Sequence, residues 1–230
     1  VAWASLALDQ ADLVIAIGSR FDDRITGDTS RFATRSKKIH IDIDPAEINK
    51  NIEVDVAVLG DAKKTLNEIL KITENKSHKK WHEKFKKLYE IEYKKVIHDD
   101  LNPKKEGLTM GEVMKEINIQ TKGDAAIVSD VGQHQMIACR YSNFNKTKSN
   151  ITSGGLGTMG FALPGSMGAK MVFPDKKILS INGDAGFLMN VQDLETAVRY
   201  KINIVAVVWL DGEYGLIKWK QQVHFEGEHS

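Results

Sequence analysis

Apolar positions along the chain fall into short runs separated by longer amphipathic stretches. Asp12 to Ile17 (DLVIAI) is an apolar run closed by Gly18-Ser19-Arg20, which predicts a buried strand. Lys38 to Ile43 alternates Ile39, Ile41 and Ile43 with His40 and Asp42 and predicts a second strand, ended by Pro45. Val54 to Leu59 predicts a third, closed by Gly60-Asp61. Ala2 to Ala11 reads as the end of a helix, and Ala62 to Ile72 as a helix with Leu66, Ile69 and Leu70 on one face. After the polar stretch Glu74 to Lys80, the lysine-rich segment Trp81 to Ile97 is amphipathic. Trp81, Phe85, Leu88 and Tyr89 point inward, with Tyr93 at the edge of that face, and the lysines lie on a solvated one. Asp99 to Gly107 (DDLNPKKEG), with clustered charge, Asn-Pro and Gly, reads as a linker.

The second half repeats the alternation. Thr109-Met110-Gly111-Glu112 is a capping-box signature before an apolar helix through Ile117 and Ile119. Ala125 to Ser129 is a strand, with Asp130 to Gln135 (DVGQHQ) at its carboxyl end. Ser153 to Ala169 carries six glycines among apolar residues, which demands close backbone approach or left-handed torsions; Pro164 fits the first turn of the helix that follows. Lys177 to Asn182 predicts a strand stopped by Gly183. Asn190 reads as a helix cap, with Val191, Leu194, Ala197 and Val198 at helical spacing. Asn203 to Trp209 reads as a parallel strand covered on both faces. The last three make one right-handed βαβ unit. The expected fold is α/β, with two three-layer domains on parallel sheets: residues 1–100, nucleotide-binding-like, and residues 101–230, which stop just after a βαβ unit. The chain begins in mid-pattern and reads as a piece of a longer protein.

Charge is balanced at net +1, so neither nucleic acid nor an anionic membrane is indicated as a partner. No signal peptide and no apolar run of about 18 residues is present, which argues against membrane insertion. The single cysteine, Cys139, excludes an internal disulfide; it suits a reducing cytoplasm and reads as a buried thiol.

The acids suggest the chemistry. Asp184 falls just past one strand and Asp211 just past the next. Neighbouring strands lie about 4.8 Å apart, so two carboxylates would meet at the carboxyl end of the sheet, where α/β proteins bind ligands. Such a hard oxygen site suits Mg²⁺, completed by water and ligand phosphate. Gly183, Ala185 and Gly186 would let a diphosphate approach the backbone. The alternative is a pair of solvated loop acids. No GxxxxGK[ST] loop is present. Gly132 before a helix starting near Gln133 offers free N–H groups to a phosphate. Asp42, at a strand end, is placed to accept ribose hydroxyls, although GxGxxG is absent.

GDAGF (Gly183 to Phe187), followed after one helix and one strand by LDGEYG (Leu210 to Gly215), resembles the thiamine diphosphate motif, which begins GDG and closes with paired asparagines. The resemblance assigns Mg²⁺ to Asp184, Asp211 and the carbonyl of Glu213. Ala185 and Leu210-Asp211 depart from the motif, as they do within the acetolactate (acetohydroxyacid) synthase branch. DVGQHQM (Asp130 to Met136) and GGLGTMGFALP (Gly154 to Pro164) resemble that branch most specifically. By this resemblance Val131, Gly132, Gln133 and His134 lie by the diphosphate. Met159 is the apolar wedge that bends the cofactor, and the Gly157 carbonyl accepts from its 4′-amino group. Ala185, Gly186, Tyr214, Gly215 and Leu216 complete the cofactor contacts. GSRFDDR (Gly18 to Arg24) and IHIDIDPAEI (Ile39 to Ile48) resemble the middle domain that holds FAD in flavin-bearing members. Carried over, Arg20, Asp22, Arg24, Asp42 and Asp61 would contact FAD, with Gln135, Met136, Gly154 and Gly155 near it. On the residues alone, Arg20 and Arg24 could equally pair with Asp22 and Asp23. After Asp211 the match loosens: LIKWKQQ (Leu216 to Gln222) lacks the family's glutamine-tryptophan order, and Trp219 either packs near the substrate mouth or caps the core.

The resemblance implies decarboxylation of pyruvate and carboligation to a second 2-oxo acid, giving acetolactate or acetohydroxybutyrate in branched-chain amino acid biosynthesis. It implies a homodimer or homotetramer with the active site at the dimer interface, and admits a small regulatory subunit. The family's catalytic glutamate belongs to an amino-terminal domain absent here, so this fragment alone is expected to be inactive. The Arg20–Arg24 loop resembles the flavin-containing biosynthetic enzymes and Asp211 the flavin-free catabolic type; the balance favours the biosynthetic one. Pyruvate oxidase, sulfoacetaldehyde acetyltransferase and a non-catalytic dinucleotide-binding module are the competing readings.

Overall fold

A computed structural model describes residues 2–104 and 106–227, which divide into two compact units, Val1–Ile97 and His98–Ser230. Lys105, inside the expected linker, and residues 228–230 lie outside the described residues.

The first unit runs α1 (Ala2–Asp9), β1 (Leu13–Ile17), the short α2 (Asp23–Thr26), β2 (Lys37–Asp42), β3 (Val56–Leu59), α3 (Ala62–Ile72) and α4 (Lys79–Glu92). The strands form a parallel sheet in the order β1-β2-β3, with Ile15 beside Ile39 and Ile39 beside Val56. One face of β1 is packed: Ala16 joins Phe21, Phe32, Ala33 and Ile52, with Leu8, Val14 and Val54 against them. The other face stays open, with Leu13, Ile15 and Ile17 exposed. α3 has the expected bounds and is started by Asp61, whose carboxylate accepts the Lys64 N–H at 2.9 Å. Of its apolar face only Ile69 is half-buried; Leu66 and Leu70 are exposed. α4 packs on α1 through Trp3, whose ring meets Phe85 and Tyr89 edge-on at 5.8 and 6.0 Å. Trp81, Phe85 and Leu88 are half-buried as expected, whereas Tyr89 and Tyr93 remain exposed. One π-helical segment, Tyr93–Ile97, ends the unit.

The second unit opens inside the expected linker, since α5 (His98–Leu101) is helical. The reason lies across the unit: Asp100 takes the Tyr141 hydroxyl on its carboxylate, and its carbonyl accepts the Thr109 hydroxyl at 3.4 Å. α6 (Met110–Thr121) begins with the anticipated capping box: Glu112 N–H donates to Thr109 Oγ1 and Thr109 N–H to Glu112 Oε2. Then follow β4 (Ala126–Ser129), α7 (Gln133–Tyr141), β5 (Asn150–Thr152), α8 (Ala162–Val172), β6 (Ile178–Gly183), α9 (Asp184–Met189), α10 (Asp193–Arg199), β7 (Val205–Trp209) and α11 (Gly215–His224). Pro164 sits in the first turn of α8, where its missing N–H costs nothing.

The sheet is wholly parallel, in the order β5-β4-β6-β7. β4 is buried along its whole length and β6 up to its last residue. Ala126, Val128 and Ile178 pack on Ala162 and Ala169 of α8. Leu179 points to the opposite face, where it shares a cleft with Val113 and Ile117 of α6.

Further expectations are corrected. β1 is not a buried strand, since Leu13, Ile15 and Ile17 are exposed on its open face. Asn190 does not start a helix; it closes α9, and its side chain turns back to the Gly160 carbonyl. Val198 is exposed, because the face of α10 that packs is centred on Ala197. β7 is not covered on both faces: Val205 and Ala206, which point to opposite faces, are exposed. Cys139 is exposed, because α7 buries His134, Ala138 and Tyr141 and so turns position 139 outward. Among the described residues no helix is long and apolar enough to cross a membrane.

Candidate functional site

Three parallel strands end side by side at one edge of the second sheet, and the residues just past them form a cavity of about 690 Å³. β4 delivers Val131, Gly132, Gln133 and His134; β6 delivers Asp184, Ala185 and Gly186; β7 delivers Asp211 and Glu213 to Leu216 with the start of α11. Met159 enters from the glycine loop before α8. All the residues assigned to the cofactor line this cavity except Gly157, which the structure leaves within the glycine loop, its N–H on the Ser153 carbonyl at 2.9 Å.

The two acids meet because β6 and β7 are neighbours, Gly183 lying beside Trp209. Asp184 opens α9 and accepts the Ala185 N–H at 2.7 Å and the Gly212 N–H, from the β7 side, at 2.9 Å. These backbone bonds hold its carboxyl below the usual carboxylate range. Asp211 turns its Oδ1 to the Glu213 N–H at 3.3 Å. Its Oδ2 lies 2.7 Å from where a Cβ on Gly215 would stand, so α11 must start with glycine for the acid to fit. The Glu213 side chain pairs with Lys218, leaving its carbonyl as the group that could face a metal. Two carboxylates with backbone carbonyls close by are hard oxygen donors of the kind that suits Mg²⁺.

His134 sits between the strand ends. It is 7% exposed, and its ring presses on both Gly132 and Gly183: a Cβ would stand 2.7 Å from Cε1 at the first and 2.9 Å at the second. Burial lowers its pKa to about 4, against the opposing pull of Asp211 and Asp184. The imidazole is thus neutral at ordinary pH, and its buried Nε2 has no protein partner. Free N–H groups at the start of α7, the small residues 183, 185 and 186 and the two acids give a diphosphate and its counter-ion what they require.

Several wall residues escaped the sequence reading. Leu108, Thr109 and Met110 line the cavity from the start of α6, and Trp209 and Leu210 from the end of β7. The capping box marked the helix start, but nothing local shows that it lies over another strand's end. Trp219 lines none of this cavity and is exposed.

Several of the residues assigned to FAD make contacts within the chain. In the first unit, Arg20 pairs with Asp22 at 3.0 Å, and Asp22 also starts α2 by accepting from Arg24 and Ile25. Asp42, almost fully buried, accepts the Asp44 N–H at 2.9 Å and faces His40 Nε2 at 3.6 Å, and Asp61 caps α3. In the second unit, Gln135 donates to Thr152 Oγ1 at 2.7 Å and Met136 is exposed. A Cβ on Gly154 or Gly155 would meet nothing within 4 Å.

Comparison with known proteins bears on this arrangement. Residues 130–230 match the thiamine pyrophosphate enzyme C-terminal TPP binding domain, and residues 2–69 match the thiamine pyrophosphate enzyme central domain. The chain is 38% identical over 234 residues to the acetolactate synthase large subunit of Buchnera aphidicola subsp. Schlechtendalia chinensis, covering 99% of this chain and 40% of that protein. It is 40% identical to the probable acetolactate synthase large subunit of Methanococcus aeolicus, covering 94% of this chain and 38% of that one. It is 37% identical to the acetolactate synthase isozyme 3 large subunit of Escherichia coli, covering 99% and 40%. The chain thus spans about 40% of the length of the curated relatives it matches.

Proposed function

Since this chain belongs to the thiamine pyrophosphate enzyme family, we propose that it forms the central and cofactor-binding parts of an acetolactate synthase catalytic subunit. The observation that carries this reading is the pair Asp184 and Asp211 on neighbouring strand ends, beside the N–H groups that open α7. Asp184, Asp211 and the Glu213 carbonyl would hold Mg²⁺, and residues 131 to 134 and 184 to 186 would hold the diphosphate of thiamine diphosphate.

The bound cofactor supplies the electron sink for decarboxylating pyruvate and for joining the remaining two-carbon unit to a second 2-oxo acid. The chain's own residues position and shield. His134, whose pKa burial lowers, would offer a ring N–H towards the diphosphate. Met159 gives the cavity a polarizable wall against which a ring system can lean. Trp209, Leu210 and Leu216 make the remainder largely apolar, which strengthens every charge interaction inside.

A homodimer or homotetramer with its active site at the dimer interface completes the proposal, together with a missing glutamate from another part of the protein and a small regulatory subunit. Residues 1–230 alone are therefore expected to be inactive. FAD is proposed for the central domain through Arg20, Asp22, Arg24, Asp42 and Asp61. Its binding would have to replace the Arg20–Asp22 pair with contacts to the flavin nucleotide.

The test is made on the full-length protein. Mg²⁺-dependent binding of thiamine diphosphate, with acetolactate as the product from pyruvate, is expected; a flavin absorbance band decides the FAD assignment. Acetyl phosphate or a flavin-reducing turnover would favour the oxidase or acetyltransferase branch. Binding of a dinucleotide without Mg²⁺-dependent thiamine diphosphate binding would refute the synthase reading.

A further inference from the structure

Met159 reaches the cavity from a glycine loop that two polar side chains hold from different elements. The first is Asp130, at the end of β4, with no exposed surface. Its backbone is fixed to the sheet by an N–H donated to the Ile181 carbonyl at 2.8 Å. Its Oδ1 accepts the Phe161 N–H at 3.0 Å, and its Oδ2 is buried without a hydrogen-bond partner. Oδ2 would lie 1.7 Å from a Cβ on Gly186, so the acid occupies the space that glycine leaves. The second side chain is Asn190, which closes α9 and donates from Nδ2 to the Gly160 carbonyl at 2.7 Å. Gly160 itself has φ +85°, and a Cβ there would stand 2.7 Å from Asn190 Nδ2.

Burying a carboxylate is costly, and an apolar residue of that size would fill the same space more cheaply. What a carboxylate adds is a charged acceptor that holds the Phe161 N–H, the nitrogen end of the peptide whose carbonyl belongs to Gly160. We propose that Asp130 and Asn190 clamp the Gly160 peptide from its two ends, N–H side and carbonyl side, and thereby fix Met159 on the cavity wall. Both are positioning residues: neither lines the cavity, and each acts through the loop. The catalytic consequence rests on the thiamine diphosphate reading; the clamp itself does not.

The experiment compares full-length protein with its Asp130→Ala, Asp130→Asn and Asn190→Ala variants. Loss of one clamping hydrogen bond should raise amide exchange across residues 153–163 on the order of tenfold, with β6 unchanged. The turnover number with pyruvate should fall by about 10- to 100-fold while affinity for inorganic diphosphate with Mg²⁺ stays within about twofold. Asp130→Asn, which keeps one acceptor oxygen, should recover part of both losses. Unchanged exchange in the alanine variants overturns the clamp, and raised exchange with unchanged turnover overturns its positioning role. Should Asp130→Ala not fold, Asn190→Ala carries the same test. Failure of the unsubstituted protein to bind thiamine diphosphate would instead overturn the functional reading, and the exchange data would then decide the clamp on their own.

Discussion

Replacing Gly183 with alanine adds one methyl group at the end of β6, and the structure says where it goes. The backbone there has φ −83° and ψ 161°, an ordinary extended conformation, so alanine brings no torsional strain. The whole effect must come from contact: the new Cβ stands 2.9 Å from His134 Cε1 and 3.2 Å from Nδ1. The ring has little room to give way, because it is buried at the strand ends. Overpacking of this kind costs about 1–3 kcal/mol.

Two outlets exist for the strain, and they give different signatures. If His134 holds its place, the cost appears as lost stability, read as a lower midpoint in urea with an unchanged slope. If the ring swings into the cavity, it takes the space that a diphosphate would use, and affinity for inorganic diphosphate with Mg²⁺ falls. A second substitution, His134→Ala, should recover most of the loss, giving a coupling of about 1 kcal/mol or more in a double-mutant cycle. A Gly183→Ala protein with unchanged midpoint and unchanged diphosphate affinity would refute the reasoning.

Other expectations follow from the same edge of the sheet. Asp184→Ala removes one of the two carboxylates and the acceptor for the Gly212 N–H, so Mg²⁺-dependent diphosphate binding should fall by about 100-fold or more in a calorimetric titration, with the fold intact by circular dichroism. In metal-free protein His134 should stay neutral down to about pH 4, as read from its imidazole resonances. The sign follows from a folded pKa below the unfolded value of about 6.5: stability is full above that value, declines as pH falls towards 4 and levels off below it, by up to about 3 kcal/mol in urea titrations. Thr109→Ala removes the capping-box hydroxyl of α6 and should cost about 1 kcal/mol, visible as a lower urea midpoint.

How much of this was legible in the sequence depends on how local each feature is. Every long strand announced itself through Ile, Val and Leu runs, because burial on a sheet needs only the chain's own periodicity. The meeting of Asp184 and Asp211 was legible for a related reason: a βαβ unit returns the chain beside itself, so residues just past both strands share one edge. Cys139 was misread although the information was present, since the 134-138-141 spacing already places position 139 on the outer side of α7. Asn190 and Asp130 differ in kind. Asn190 bonds the Gly160 carbonyl 30 residues away and Asp130 the Phe161 N–H 31 residues away, each outside its own secondary-structure element. Asparagine suits either end of a helix, so local rules put Asn190 at the wrong one, and they placed Asp130 at a strand's carboxyl end without giving it a role. What decides them is the insertion of β4 between β5 and β6, which sets Asp130 beside the glycine loop and Gly186. Strand order is set by packing across the whole sheet, and residues whose roles depend on it stay silent until the sheet is assembled.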